Sequence, residues 1–325
     1  MLISVQTLRT LGYKVWKKQK KRKGITKSPT NNSPIQQFRR ALHSKPTLRR
    51  GLAIARTQTK PEHFPAIVNQ LGRHQVYRTA IVATGFPADL ASYTSKRRLQ
   101  RISAEGELMW AASVLALFGD ELKEYVGLRD SFHRAYLNGS YEQAREFLDQ
   151  IQSQFGYSLW LLGYRIQLLQ LADGLTAQKD LLEEVVSTDG LSQIVAWFTY
   201  YLSLRAENNV SFAKLEDEAS EVLELEELGA HFLSHLLPYD LTRIDDPSVV
   251  LAWDEPHSII DRFESFVSMA MLYCAKFGQS NGSSIISALQ LLEETKDIRI
   301  LRTLAVLCQR FDTQVGGVVS FADDY

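Results

Sequence analysis

The feature that most constrains the fold of this chain is a stretch of 150 residues without proline, between Pro87 and Pro238. Proline breaks helices, so its absence over this length permits helices throughout. Glycine residues punctuate the stretch at spacings of 17, 18 and 16 residues, namely Gly139, Gly156, Gly174 and Gly190. Glycine readily adopts the left-handed conformation that ends a helix, and each interval suits a helix of about 12–15 residues with a short turn. The spacing therefore predicts successive helices with a glycine at each turn.

Apolar residues within this stretch follow helical periods. One stripe recurs every three or four residues and consists of Tyr141, Ala144, Phe147, Leu148, Ile151 and Phe155. Residues 159–171 and 194–204 are apolar on nearly all sides, which predicts helices flanked by several neighbours. Residues 212–237 predict one longer helix with an acidic face. No comparable strand-like alternation occurs, so we predict an all-α fold, an irregular array of helical hairpins of the α-solenoid kind.

Composition divides the chain into successive parts. Residues 1–34 are basic and too polar to form a core, so we predict a flexible segment. Residues 35–104 predict a basic region of short helices, each broken or started by Pro46, Pro61, Pro65 or Pro87. The remaining parts are a helical-repeat core over 105–237, a linker or ordered crossover over 238–256, helices at 257–277, 284–296 and 298–311, and a tail over 312–325.

A short motif surrounds the first of these glycines. Gly139, Tyr141 and Ala144 form a G-x-Y-x-x-A pattern, and Leu148 and Ile151 follow where a second helix would pack on its neighbour. The glycine permits a tight turn, the tyrosine wedges the hairpin and the alanine lets two helices approach. This segment resembles the turn of a tetratricopeptide repeat, although the proline that closes that family's repeats is absent. The resemblance implies a tetratricopeptide-like array of irregular hairpins, whose usual role is to bind a peptide or protein partner.

Charge is distributed very unevenly along the chain. The first acidic residue is Glu62, and residues 1–104 contain 22 Lys and Arg against two acids, the second being Asp89. Residues 105–325 contain 15 Lys and Arg against 35 acids. A net charge of zero therefore conceals a strongly polarised chain, and such polarity concerns partners and association rates.

The basic residues of the first third form four clusters that predict contact with an anionic partner. Clusters of this kind neutralise phosphates, and Tyr13, Trp16, Phe38 and Tyr77 are interleaved as candidate stacking groups. Two other interpretations stay open: the basic third docks on the acidic helix of the same or another copy, or it only solubilises the chain. The clusters consist of Lys17, Lys18, Lys20, Lys21, Arg22, Lys23, Arg39, Arg40, Arg49, Arg50, Lys96, Arg97, Arg98 and Arg101.

Two histidine patterns suggest enzymes as alternatives. Glu227, His231 and His235 repeat every four residues and would share one helix face, as ligands of a divalent metal do. Phe232 stands where a zinc-protease helix carries a glutamate, and a solvated helix edge with satisfied histidines is the competing interpretation. Two Arg-x-x-x-His pairs, at Arg129 and at Arg39, loosely match pairs used by some helical ribonucleases, but their spacing is too short.

Other catalytic signatures are missing from the sequence. It contains no G-x-S-x-G, no phosphate-binding glycine loop and no C-x-x-C, so we expect no cofactor. No run of 18 apolar residues occurs, so we expect no transmembrane segment. Cys274 and Cys308 predict two buried thiols in a reducing, cytoplasmic setting, with an organelle presequence at the basic start as the alternative.

These observations together favour a non-enzymatic interaction protein. We expect the helical-repeat core to serve as an adaptor or scaffold that binds a protein partner, while the basic third contacts an acidic partner. The first alternative is a nucleic-acid-binding protein or a subunit of a nuclease complex. The second is a metal-dependent enzyme that uses the glutamate and the two histidines.

Overall fold

The computed structural model describes residues 33–82, 85–93, 100–236, 241–252, 258–277 and 282–311. Across these ranges the regular structure is helical and no strand occurs, which confirms the predicted all-α class. All of the helices belong to a unit that begins at Pro34. Among the described residues, no helix combines the length and the apolar character needed to cross a bilayer.

Four short helices open the fold. They are α1 (Pro34–Leu42), α2 (Leu48–Thr57), α3 (Phe64–Gly72) and α4 (Gln75–Ile81). Pro34 and Pro65 lie in first turns, Pro46 separates α1 from α2, and Pro61 starts a 3₁₀ turn before α3. Proline suits a first turn because its missing N–H would have no helical partner there. The prediction that prolines divide this region into short helices is confirmed for Pro46, Pro61 and Pro65, whereas Pro87 lies outside any helix and no proline separates α3 from α4.

Six helices follow within the proline-free stretch, and turns or short loops separate each helix from the next. They are α5 (Ala104–Leu115), α6 (Gly119–Leu137), α7 (Tyr141–Phe155), α8 (Leu159–Ala172), α9 (Leu175–Val186) and α10 (Gln193–Ala206). Among the described residues, the glycines with positive φ are the four at the predicted turns, with φ of 73° at Gly139, 67° at Gly156, 87° at Gly174 and 77° at Gly190. The predicted glycine punctuation is therefore confirmed.

The predicted apolar face of α7 is confirmed, and so is the prediction that several helices flank α10. Helix α7 buries Ala144, Leu148 and Ile151 on one face, as its apolar stripe predicted. Helix α10, expected to be flanked on several sides, leaves Trp197 41% and Tyr200 44% exposed. It packs on α8, α9, α11 and α13 through its other faces.

The single helix predicted over residues 212–237 is wrong. Three shorter helices occupy the segment: α11 (Phe212–Glu218), α12 (Ser220–Leu223) and α13 (Glu226–Leu236). Helix α13 folds back on α12 so closely that a Cβ at Gly229 would lie 2.6 Å from the Leu223 carbonyl oxygen. Glycine allows that approach, and helical periodicity alone does not reveal it.

The C-terminal region contains an ordered crossover and three further helices. Residues 241–252 form a 3₁₀ turn and the buried helix α14 (Pro247–Ala252). The helices are α15 (Ile259–Phe277), α16 (Gly282–Gln290) and α17 (Ile298–Phe311). The helix predicted over 284–296 ends early, at Gln290, and a 3₁₀ turn with a left-handed Lys296 precedes α17.

Two hydrophobic clusters form the core. The first joins α1–α8 to α15–α17 and includes Trp110 and Phe263. The second lies around α8, α10 and α13 and includes Phe198 and Phe232. Helices α8 and α15 contribute to both clusters, and α15 and α16 return to pack on α5. The helices therefore contact distant parts of the sequence as well as their neighbours.

A buried carboxylate fixes the start of α8 to α15. Asp261 accepts hydrogen bonds at 3.1 Å from the backbone N–H groups of both Leu159 and Trp160. It also accepts hydrogen bonds from the hydroxyl groups of Tyr93 and Ser258. The first N–H groups of a helix lack helical partners and carry partial positive charge, so a carboxylate there stabilises the helix. This contact sets the position of the α8 side chains described below.

Candidate functional site

Helices α1 and α2 form a hairpin that is held firmly on the core. Phe38, Leu42 and Leu52 are buried in the first hydrophobic cluster. The two helices approach at Gly51, where a Cβ would lie 1.7 Å from the carbonyl oxygen of Leu42. The hydroxyl group of Thr47 accepts a hydrogen bond from a backbone N–H and caps the start of α2. The hairpin is therefore a fixed base for its outward side chains.

The outward side of this hairpin is cationic. Arg40, Lys45, Arg49 and Arg50 are exposed, and none of them forms an ion pair within the part of the chain that the structure describes. Residues 33–82 contain nine Lys and Arg but a single acid, Glu62. We call these four exposed side chains the basic hairpin surface. They are free to meet negative charge from a partner.

The other predicted basic residues are distributed differently. Arg39 is half-buried on α1, and Arg101 is exposed just before α5. The remaining predicted residues lie outside the described part of the chain, namely Lys17, Lys18, Lys20, Lys21, Arg22, Lys23, Lys96, Arg97 and Arg98. The structure thus places the pairs at 39–40 and 49–50 on the two packed helices of one hairpin and leaves the other two clusters untested.

The acidic region that was the alternative docking site for the basic third lies on α11 and α12. Glu216 forms an ion pair with Arg243, from the crossover. Glu218 and Glu221 border a groove of about 470 Å³ that is otherwise aromatic and aliphatic, including Trp197 of α10. Among the described residues, no ion pair joins this region to the basic hairpin surface.

The predicted turn between α6 and α7 is present. Gly139 adopts φ of 73°, and the backbone N–H of Ser140 donates to the Ala135 carbonyl oxygen at 2.9 Å. Ala144 is fully buried, which permits close helix packing. Tyr141 is only half-buried and packs against other residues of the first hydrophobic cluster. It therefore contributes less burial than a wedge at the centre of the hairpin would.

Of the histidines predicted as metal ligands, His231 is buried and His235 is half-buried. The ring of His231 stacks on that of His235 at 6.3 Å between centroids. The side chain of Glu227 lies outside the described part of the chain. Among the described side chains, no group of three His, Cys, Asp or Glu could hold a metal ion. The solvated helix edge of the competing interpretation is wrong for His231, because that residue faces the core.

A polar cavity of about 220 Å³, partly open to solvent, lies where the two hydrophobic clusters meet. Six helices line it: α6, α8, α10, α13, α15 and α17. Its aromatic wall consists of His133, Trp160 and Tyr164, with ring centroids 4.7 Å apart for Trp160 and Tyr164 and 5.2 Å apart for His133 and Tyr164. Polar side chains from α10, α13, α15 and α17 complete the lining.

An ion network forms one wall of the cavity. Arg299 donates to the two carboxylate oxygens of Glu264 at 2.6 and 3.1 Å, and Arg129 donates to the same carboxylate at 3.1 Å. Both arginines also bind Asp297, at 2.7 Å from Arg129 and 2.6 Å from Arg299. The Tyr125 hydroxyl donates to Glu264 at 3.0 Å. Arg129 also donates to the more exposed Asp130 at 2.7 Å. Three carboxylates therefore surround two guanidinium groups.

Burial and these partners set the protonation states around the cavity. Burial raises the pKa of Glu264, but Arg299 and Arg129 outweigh it and hold the pKa at about 2. Burial lowers the pKa of His235 to about 4. Burial and then Arg129 lower the pKa of His133. Near neutral pH the carboxylate is ionised and both histidines are uncharged.

The cavity accounts for residues that the sequence patterns had grouped differently. Arg129, one half of a suggested ribonuclease pair, is engaged by Glu264 and Asp297, while its companion His133 lines the cavity. In the other pair, Arg39 and His43, the His43 ring forms a hydrogen bond with the Tyr77 hydroxyl group at 2.9 Å. In neither pair do the arginine and the histidine face the same solvent-accessible site, as a ribonuclease pair would. No sequence pattern pointed to Glu264 and Arg299, which belong to no local motif.

Comparison with family models, curated proteins and solved structures finds no match to this chain.

Proposed function

We propose that this chain is a non-enzymatic interaction protein that binds an acidic protein partner through its basic hairpin surface. A single observation carries the proposal. Four exposed cations stand on a hairpin that is anchored in the core, and none of them is paired with an acid among the described residues. Cationic surfaces of this kind attract and orient acidic partners through long-range electrostatics.

The helical core supports a scaffold role in this proposal. Helices α6 to α10 pack successively, each on the next, as the hairpins of a tetratricopeptide-like array do. We propose that this succession is an irregular array of that kind and that it holds the basic hairpin surface at a fixed distance from other contact sites. The glycine turns between these helices agree with the proposal.

A nucleic acid is the second candidate partner, because the same surface would neutralise phosphates. Phe38 and Tyr77, the candidate stacking groups that the structure describes, are buried and half-buried respectively. Neither side chain is fully exposed, as a group that stacks on a base would be. This observation favours an acidic protein over a single-stranded nucleic acid.

The test is a comparison of two triple charge reversals. The first replaces Arg40, Arg49 and Arg50 with Glu. The control replaces the exposed bases Lys123, Arg134 and Arg302 with Glu, which changes the net charge equally but elsewhere on the chain. Both proteins are titrated with polyglutamate and with duplex DNA at low and moderate salt.

We expect the first reversal to weaken polyglutamate binding strongly and the control to weaken it little. If duplex DNA is the preferred ligand, the salt slope should fall by about 0.9 for each phosphate that the variant no longer neutralises, or about 2.7 for three. Equal effects of the two reversals would refute the proposal. Tighter binding of DNA than of polyglutamate would mean that the surface binds a nucleic acid, the second candidate partner, instead of an acidic protein.

A further inference from the structure

We propose that the polar cavity between the two hydrophobic clusters binds a small, uncharged planar molecule, an aromatic or heteroaromatic ring that carries a neutral polar group such as an amide. The proposal concerns the interior of the chain and is independent of the basic hairpin surface.

The size of the cavity sets the first limit. An engineered cavity of about 150 Å³ in another protein is known to bind benzene. This cavity, at about 220 Å³, has room for one ring and a small substituent. It is smaller than the roughly 300–1,000 Å³ typical of sites for drug-sized ligands. A single substituted ring is therefore the fitting size.

The charges on the lining disfavour an ionised ligand. A carboxylate would lie near Glu264, which is already ionised, and a cation would lie near Arg205 and Arg299. The guanidinium group of Arg205 donates to the carbonyl oxygen of Leu236 at 2.8 Å. Glu264 and Arg299 are each held by their partners in the ion network and need no further counter-charge. Burying an ionised group without a counter-charge is strongly unfavourable. An uncharged ligand avoids this cost.

The lining offers unused hydrogen-bonding groups beside apolar surface. Trp160 has an indole N–H, and Tyr164 and Ser268 have hydroxyl groups, none with a hydrogen-bond partner among the residues described. A neutral amide both donates and accepts hydrogen bonds. It therefore matches the indole N–H, which only donates, and the two hydroxyl groups, which can donate or accept. Leu159 and Leu202 supply aliphatic contacts for a ring.

Water is the competing occupant. A volume of about 220 Å³ would hold about seven molecules at roughly 30 Å³ each. Water would satisfy the three polar groups but gain nothing from the faces of Trp160 and Tyr164 or from the two leucines. A planar ring gains from those faces by stacking and by releasing that water.

The experiment uses three probes with the same ring and different charges: benzamide, benzoate and benzamidine. Each is titrated into the full chain at neutral pH, with ligand-observed NMR to detect binding and calorimetry to measure affinity. We expect benzamide to bind and the two charged probes to bind at least about tenfold more weakly, because they bury an unpaired charge.

Variants then locate the bound probe. Ser268→Leu fills the cavity and should abolish benzamide binding, whereas Ser287→Leu, at an exposed serine on α16, should leave it unchanged. Tyr164→Phe removes one hydroxyl group and should weaken binding about fivefold. Tyr200→Phe, at an exposed tyrosine on α10, is its control.

Each outcome decides the proposal. Loss of benzamide binding in Ser268→Leu, with binding retained in Ser287→Leu, supports it. Absence of benzamide binding to the wild type, or equal binding by Ser268→Leu, overturns it and leaves a water-filled cavity. Binding of either charged probe as tightly as benzamide overturns it as well. If Ser268→Leu does not fold, the comparison of Tyr164→Phe with Tyr200→Phe decides in the same way.

Discussion

Gly139 and Gly156 allow a matched test of how the glycine turns hold the fold together. Both have similar positive φ, of 73° and 67°. A Cβ at Gly139 would meet nothing within 4 Å, whereas a Cβ at Gly156 would lie 1.9 Å from the carbonyl oxygen of Pro87. Alanine therefore introduces backbone strain at both positions but a steric clash at only one.

The expected magnitudes follow from these environments. Alanine in a left-handed conformation costs about 1–2 kcal/mol, which is the whole effect at Gly139. At Gly156, ψ of −152° places the backbone in a region essentially restricted to glycine, so the strain there is at least as large. The Pro87 loop must also move, which adds about 1–3 kcal/mol of overpacking. Pro87 accepts a hydrogen bond from the backbone N–H of Tyr157 at 2.9 Å, and breaking it adds about 1 kcal/mol. Gly156→Ala should thus cost about 3–6 kcal/mol in all.

Chemical unfolding of both variants, followed by circular dichroism, measures the difference directly. We expect Gly156→Ala to lower the midpoint of unfolding much more than Gly139→Ala. Equal destabilisation by the two changes would refute the reasoning, because it would mean that the Pro87 loop does not constrain the turn between α7 and α8.

Three further predictions concern stability. Glu264→Gln should lower the free energy of unfolding at neutral pH by about 3 kcal/mol, measured by chemical unfolding, because the buried Arg129 and the partly exposed Arg299 would each lose a counter-charge. The pKa of Glu264 is about 2 in the fold against 4.5 ordinarily, so the wild type should lose this stabilisation as the pH falls from about 4 towards 2. Glu264→Gln should show a flatter acid-unfolding curve there; a curve as steep as that of the wild type would contradict the network. Tyr141→Ala should cost only about 1–2 kcal/mol in a thermal melt, since the ring is half-buried, and a larger loss would mean that Tyr141 is the central wedge after all. The triple reversal of the basic hairpin surface should leave the melting temperature within about 2 °C of the wild type, since exposed charges contribute little to stability.

Parts of the fold could be predicted because their causes are local. A glycine that must adopt positive φ marks its own turn, so the positions of Gly139, Gly156, Gly174 and Gly190 were readable from spacing. Helix α7 was predicted with its bounds because its apolar residues repeat at three and four positions between two such glycines. Prolines marked the short helices α1 to α3 in the same way.

Other parts could not be predicted because their causes are distant in sequence. The acidic segment at 212–237 has helical periodicity throughout, but packing of α13 back on α12 breaks it into three helices. The exposed face of α10 is another example. Its apolar composition predicted several flanking helices, but it did not reveal that Trp197 and Tyr200 border a surface groove.

The candidate sites divide in the same way. The cationic character of α1 and α2 was evident from composition, because nine bases and one acid occur in residues 33–82. The ion network at the cavity was not evident, because Arg129 and Asp297 are 168 residues apart and join only through the packing of α6, α15 and α17. No spacing rule links residues that the tertiary fold brings together.

The account's central claim is that the basic hairpin surface is a binding site for an acidic partner. Backbone hydrogen exchange of the full chain, measured with and without polyglutamate, tests it most directly. We predict that slowed exchange will concentrate in residues 34–57, and that it will disappear when Arg40, Arg49 and Arg50 are replaced with Glu. Unchanged exchange in residues 34–57 while polyglutamate binds, or protection that persists in that variant, would contradict the claim.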